Sequence, residues 1–194
     1  MKKLFLLLLL LNSLLIEGCS TVASNREEIS GQQLSQDRRT REAILIDKEI
    51  ETEAYSELNS DDDLLNQCHF TVTAYNGAVL VTGEASNEEL EKKIISTVQD
   101  IPDVKLIHNN LTIAYPSDAS SRANDQLITD TVKIALKQIQ TIPDFDPSMI
   151  KVITENGTVY LMGLVHRNEG AVVINLTRLQ PGVEQIITVF EYID

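Results

Sequence analysis

Apolar and polar residues alternate in two regions of the chain that closely resemble each other. Residues 70–83 read FTVTAYNGAVLVTG and residues 150–163 read IKVITENGTVYLMG, so both glycines of one region align with glycines of the other. Asn-Gly between two alternating runs is a strong hairpin signal, because a type I′ turn needs positive φ at both central residues. We therefore predict β-hairpins with their tips at Asn76-Gly77 and Asn156-Gly157.

Helical spacing of apolar residues flanks both hairpins. A helix over roughly Arg41 to Leu58 is predicted before the first hairpin, and a helix with Asn124 or Asp125 as its N-cap before the second. Ser86-Asn87-Glu88-Glu89 indicates a capping box that opens a helix after the first hairpin. Each copy then ends in a strand-like run, at residues 104–113 and 183–192.

The order of elements in each copy is therefore helix–strand–strand–helix–strand. The predicted fold class is α+β, with two tandem small two-layer sandwiches that each place two helices on a three-stranded mixed sheet. The first domain is expected at residues 38–115 and the second at 125–194, joined by a serine-containing linker at 116–124.

The beginning of the chain predicts export. Residues 1–18 combine two lysines with an apolar run that is shorter than the roughly 20 residues of a membrane span, as in a signal peptide. Ile16-Glu17-Gly18-Cys19 resembles the lipobox of bacterial lipoproteins, which predicts cleavage before Cys19 and lipidation of that cysteine. An ordinary secretory signal with an incidental cysteine is the alternative. Ser20, rather than aspartate, implies sorting to the outer membrane, and the polar residues 19–37 predict a flexible tether.

The charge and the rare residue types exclude several functions. A net charge of −13 argues against nucleic acid as a partner and against adhesion to anionic lipid through overall charge. The three histidines, His69, His108 and His166, lie at no metal-ligand spacing. His69 and His108 would lie on strands, and a structural role rather than metal ligation is predicted for these two. Asp61 to Asp63 is expected to be a solvated loop rather than a calcium site. No catalytic residue, metal site or cofactor is predicted, and the chain is not expected to be an enzyme.

The repeated unit resembles the BON domain, a small periplasmic module. The resemblance extends to the dual-BON outer-membrane lipoproteins of proteobacteria through Cys19, the segment 37–40, residues 72–77 and, most strongly, residues 152–165. It implies a non-enzymatic lipoprotein on the periplasmic face of the outer membrane that supports envelope integrity.

The resemblance also implies that the first helix of the second domain binds anionic phospholipid, such as phosphatidylglycerol. The positions carried over, together with a neighbouring isoleucine, are Leu127, Ile128, Thr131, Lys133, Ile134 and Lys137. An interfacial helix needs apolar anchors beside cations, which this segment offers. The alternative interpretation is purely structural: the apolar stripe of this helix faces the core, and both lysines are solvated. The alternative function is a protein-interaction adaptor for outer-membrane assembly or cell-wall remodelling, with an envelope protein as its partner.

Overall fold

The computed structural model describes residues 37–140 and 142–193. The predicted signal peptide at 1–18, the lipidation site Cys19 and the tether up to residue 36 lie outside the described residues. Within the described part, no helix is both long enough and apolar enough to cross a membrane.

Each domain contains the predicted order of helices and strands. The first domain consists of α1 (Arg41–Leu58), α2 (Asp62–Gln67), β1 (Cys68–Tyr75), β2 (Ala78–Ala85), α3 (Glu88–Gln99) and β3 (Leu106–Ile113). The second consists of α4 (Ala119–Leu136), a 3₁₀ turn (Pro147–Met149), β4 (Ile150–Glu155), β5 (Thr158–Val165), α5 (Arg167–Arg178) and β6 (Gln185–Tyr192).

Both sheets are mixed and have the same topology. The strand orders are β1-β2-β3 and β4-β5-β6, with an antiparallel hairpin followed by a parallel third strand in each case. The α+β fold predicted from the repeat is thereby confirmed. The hairpin tips are confirmed as well, since φ is positive at Asn76, Gly77, Asn156 and Gly157.

Two segments of the first domain differ from the prediction. Residues 61–63 are not a solvated loop, because Asp61 caps the short helix α2 through its side chain and pairs with Lys93 of α3. The helix α3 is capped by Asn87, whose side chain accepts from the backbone N–H groups of Glu89 and Leu90, and not by Ser86. Asparagine is as good an N-cap as serine. The predicted helix is therefore present, but its N-cap lies one residue later than Ser86.

The helix α4 begins earlier than predicted. Its N-cap is Asp118, which accepts from the backbone N–H of Ser121, rather than Asn124 or Asp125. Residues 119–124, expected to belong to a linker, therefore form its first turns. Residues 119–121 are Ala-Ser-Ser. Serine has a weak helical preference because its side chain competes for backbone hydrogen bonds, so the sequence pattern does not indicate a helix here.

Each sheet buries one face under its helices and the other face in a separate apolar cluster. Val72, Val79 and Val81 of the first sheet pack under its helices, as Val152, Val159 and Leu161 do in the second. The opposite faces meet through Tyr75 and Leu80 of one domain and Tyr160 and Met162 of the other. The hydroxyl of Tyr75 also donates to the carbonyl oxygen of Met149 at 3.0 Å. Neither sheet therefore presents a bare face to solvent.

A buried aspartate on the first helix of each domain holds the hairpin tip. Asp47 of α1 accepts from the backbone N–H groups of Asn76 and Gly77 at 2.7 and 2.8 Å. Asp125 of α4 accepts from the corresponding groups of Asn156 and Gly157, both at 2.9 Å. Turn amides that no strand can satisfy are thus paired inside the protein.

Two consecutive arginines ahead of α1 bind different domains. Arg39 donates to Asp47 at 2.6 Å and lies over the ring of Tyr75, with 3.8 Å between its guanidinium carbon and the ring centroid. Arg38 forms a bidentate pair with Glu169 of α5, at 2.6 and 2.7 Å. A bidentate arginine–carboxylate pair is among the stronger polar contacts in proteins. The segment before the first domain therefore fastens that domain to the second.

This pair predicts a pH dependence of stability. The pKa of Glu169 lies below its usual value of 4.5, chiefly because Arg38 hydrogen-bonds to the ionised carboxylate. A lowered pKa adds stability that is present above about pH 4.5 and is lost as the pH falls through the folded-state pKa. We expect Glu169→Gln to be about 2 kcal/mol less stable at neutral pH. Its unfolding free energy should also fall less than that of the wild type between roughly pH 5 and pH 3.

Urea denaturation followed by circular dichroism at both pH values measures these differences. Glu184→Gln is the matched control, because the Glu184 carboxylate forms no hydrogen bond or ion pair within the described residues. Parallel pH profiles of wild type and Glu169→Gln would contradict the assignment.

Candidate functional site

The outer surface of α4 carries apolar side chains beside cations. Leu127 and Ile134 are 65% and 61% exposed, which is unusual for large apolar residues on a helix that also supplies the core. Lys133 and Lys137 lie one turn apart and are both exposed. Among the described residues neither lysine forms an ion pair, so both ammonium groups face solvent.

An open hollow adjoins the two lysines. It has a volume of about 460 Å³ and lies between the last turns of α4 and the 3₁₀ turn. Its lining consists of Lys133, Leu136, Lys137, Asp146, Pro147, Ser148 and Ile150. The side chain of Asp146 accepts from the backbone N–H of Ser148, and its negative charge partly offsets the two lysines within the hollow. We call Leu127, Lys133, Ile134, Lys137 and this hollow the α4 face.

The remaining residues predicted for this surface have other positions. Ile128 is only 3% exposed and packs in the core, where its side chain lies against Gly182. The prediction that Ile128 contacts lipid is therefore wrong, because its side chain is buried. Thr131 is half-buried, and its hydroxyl donates to the carbonyl oxygen of Leu127 at 2.8 Å, within the helix. Asp130 is exposed between the apolar and basic positions and tempers the positive charge of the α4 face.

The corresponding helix of the first domain has a different surface. On α1, Leu45 is 61% exposed, but the hollow beside it is lined by Lys48, Glu49 and Glu53 together with Thr52 and Ser56. An apolar side chain is thus available in both domains, whereas two neighbouring cations without a carboxylate partner occur only on α4 when these two helices are compared.

A second polar cluster lies where the sheets of the two domains meet. The Nδ1 atom of His69 is 3.2 Å from Glu84 Oε2 and 3.6 Å from Glu155 Oε1. Glu84 and Glu155 are buried, and His69 is half-buried. Interaction with Glu155, and then with Glu84, raises the pKa of His69 in spite of its burial, which acts in the opposite direction.

Sequence reasoning missed this cluster because its members come from three strands and two domains. Each lies on the strand face that points away from its own helices, and the alternation of β1, β2 and β4 placed them there. Ionisable residues on strand faces that the helices of the same domain do not cover are the signal that could have indicated a shared site.

Comparison with known proteins agrees with the repeat. The BON domain family matches residues 46–115 and 124–194. "Outer membrane lipoprotein DolP" of Haemophilus influenzae is 23% identical over 97% of this chain and 96% of its own length. "21 kDa hemolysin" of Actinobacillus pleuropneumoniae is 25% identical over 81% of this chain and 79% of its own.

Among solved structures, the C-terminal domain of CdsD, the structural protein of the type III secretion system of Chlamydia trachomatis, matches 76% of this chain and 67% of its own length. That match has 12% identity and a TM-score of 0.30. The two family matches cover both copies of the helix–hairpin–helix–strand unit seen in the structure. The chain therefore belongs to the BON-domain family and contains two BON domains in tandem.

Proposed function

We propose that this protein is a non-enzymatic lipoprotein that supports the integrity of the bacterial envelope. It is anchored through lipidated Cys19 to the periplasmic face of the outer membrane, and its second domain binds anionic phospholipid. The lipobox-like sequence before Cys19 and the relative named as an outer-membrane lipoprotein support the location. The observation that carries the binding function is the α4 face, with its exposed apolar side chains beside unpaired lysines.

The charges of the two domains favour the second as the binding domain. Residues 38–115 contain 7 basic and 15 acidic residues, whereas residues 116–194 contain 6 and 10. Both domains are therefore repelled by an anionic bilayer as wholes, and attraction has to be local. The α4 face offers that attraction together with apolar side chains that can enter the headgroup region.

Vesicle co-sedimentation of the chain from residue 20 onward tests this function without interference from the acyl chains. Wild-type protein should bind vesicles that contain phosphatidylglycerol and should not bind vesicles of phosphatidylcholine alone. Each cation near an anionic surface contributes about 1 kcal/mol, so Lys133→Glu/Lys137→Glu should weaken binding at least about 30-fold. Leu127→Ser/Ile134→Ser should weaken it at high salt as well as at low salt, because it removes apolar contact.

Lys48→Glu/Lys92→Glu makes the same change in net charge on the first domain. Its binding to the vesicles should stay within about twofold of that of the wild type. Equal loss in the two lysine variants would show that net charge matters and the α4 face does not. Failure of the wild type to bind phosphatidylglycerol vesicles at moderate salt would reject the function.

The acidic surface of α1 favours a second candidate function, an adaptor that docks a basic surface of an envelope protein. The same Lys133→Glu/Lys137→Glu variant separates the two functions. Capture of a protein partner that survives this change, together with lost vesicle binding, would assign the two activities to different domains.

A further inference from the structure

We infer that His69, Glu84 and Glu155 form a binding site for one divalent transition-metal ion, with Zn²⁺ as its best fit. One ligand atom from each of the three side chains lies within 4.8 Å of the other two. Imidazole nitrogen and carboxylate oxygen are both ordinary zinc ligands. None of the three ligands belongs to the α4 face, although Lys133 of that face lines the cavity beside them, and the proposal does not depend on lipid binding.

The distances suit a small tetrahedral ion. Zinc bonds to nitrogen and oxygen of about 2.0–2.1 Å place neighbouring ligands about 3.4 Å apart. The observed separations of His69 Nδ1 from Glu84 Oε2 and Glu155 Oε1, 3.2 and 3.6 Å, lie on either side of that length. Two of the three separations therefore already suit a bound ion, and the third, between the Glu84 and Glu155 carboxylates, is no more than 4.8 Å.

The environment of the Glu155 side chain provides independent evidence for a bound metal ion. Its side chain is 7% exposed, and no described residue lies within hydrogen-bond distance of its Oε1 atom, since His69 Nδ1 is 3.6 Å away. A buried carboxylate oxygen without a partner is costly. A metal ion at the centre of the cluster would satisfy this oxygen and would also offset the charge of the two neighbouring carboxylates.

Glu84 is already held in the orientation that a ligand needs. Asn156 donates to its Oε1 at 2.6 Å, and the backbone N–H of Ser117 donates to its Oε2 at 3.1 Å. Hydrogen bonds of this kind from outside the ligand set orient the carboxylates of metal sites, and each carboxylate oxygen retains a further lone pair.

The cluster also has access and room for a fourth ligand. An open cavity of about 320 Å³ is lined by His69 and Glu155. Zinc sites with three protein ligands commonly hold water in the fourth position. Arg122 and Lys133 line the same cavity, but the Arg122 guanidinium is held by the carbonyl oxygen of Ser117.

Such an ion would connect the two domains, since His69 and Glu84 belong to the first and Glu155 to the second. The test uses the full lipoprotein in non-ionic detergent, stripped with EDTA and titrated with Zn²⁺ by calorimetry. We expect one Zn²⁺ per chain and a rise in the thermal unfolding midpoint. Glu155→Gln and His69→Ala should each lower the affinity about 100-fold or more and abolish that rise.

His108→Ala is the matched control, because His108 lies on β3 of the same domain outside the cluster. It should bind Zn²⁺ as the wild type does. Glu155→Gln keeps the shape of the side chain, and its circular dichroism spectrum in EDTA verifies that the fold is intact. Absence of stoichiometric binding, undiminished binding in His69→Ala, or an equal loss in His108→Ala would overturn the site.

Discussion

Replacing Gly83 with alanine is expected to lower the free energy of unfolding of the first domain by about 3 kcal/mol or more. Gly83 has φ of +118°, a conformation that residues with a side chain rarely adopt. A Cβ atom at this position would lie 2.1 Å from the carbonyl oxygen of His69 and 3.0 Å from the Cα of Phe70. Both are backbone atoms of the paired strand β1, which cannot turn aside as a side chain would.

The second domain contains the matched control. Gly163 occupies the equivalent place in β5 but does not have a positive φ, and its nearest neighbour would be the terminal methyl of Ile150 at 2.8 Å. That methyl group can move, although the carbonyl oxygen of Met149 at 3.0 Å limits the relief. Gly163→Ala should therefore cost clearly less than Gly83→Ala.

Hydrogen exchange measured by mass spectrometry resolves the two domains, because amides of β1 and β2 report on the first and amides of β4 and β5 on the second. If the amides of β1 and β2 were as well protected from exchange in Gly83→Ala as in the wild type, the strand pair would accommodate the methyl group. Equal losses in both glycine variants would show that the positive φ contributes nothing.

Replacing Asp47 with alanine is expected to be the most damaging change of a single polar side chain, at about 3 kcal/mol. Asp47 is 2% exposed and accepts from two turn amides and from the guanidinium of Arg39. Its loss leaves two amides of the hairpin tip without a partner and removes one of the two carboxylates that bind Arg39, which keeps its pair with Asp37. Such uncompensated groups cost more than the hydrogen bonds themselves contribute.

Asp125→Ala removes the same pair of turn contacts in the second domain but breaks no contact with an arginine. It should cost about 2 kcal/mol, so that the difference between the two variants measures the contribution of Arg39. Asp100→Ala, at an exposed position after α3, is the control for loss of an acidic residue and should be near neutral. Unfolding in urea gives the three values. Asp47→Ala and Asp125→Ala of equal stability would contradict the role of Arg39.

Local features of the fold could be predicted from the sequence because they depend on neighbouring residues. Asn76-Gly77 and Asn156-Gly157 encode their turns through positive φ, and the apolar spacing of α1 gave its bounds. Boundaries were less certain. The first turns of α4 contain residues with weak helical preference, and Asp118 stabilises them through a hydrogen bond that only the folded backbone forms.

The candidate sites depended more on tertiary structure. Spacing alone could place Ile128 on the α4 helix, but its burial follows from packing against Gly182, which lies more than fifty residues later. The cluster of His69, Glu84 and Glu155 needs the two sheets to face each other, which no single repeat unit specifies. Lys133 and Ile134 are exposed, as contact with lipid would require, because they lie off the apolar stripe of the same helix.

The paired arginines before α1 determine where mechanical load enters the molecule. Tension from an anchor on the N-terminal side enters the described part of the chain next to Arg38 and Arg39, and these bind the second and the first domain respectively. Force is therefore shared between the domains at the outset, instead of peeling the first domain away from the second. Mechanical force on the envelope would therefore act on both domains together, and the α4 face would move with the membrane anchor.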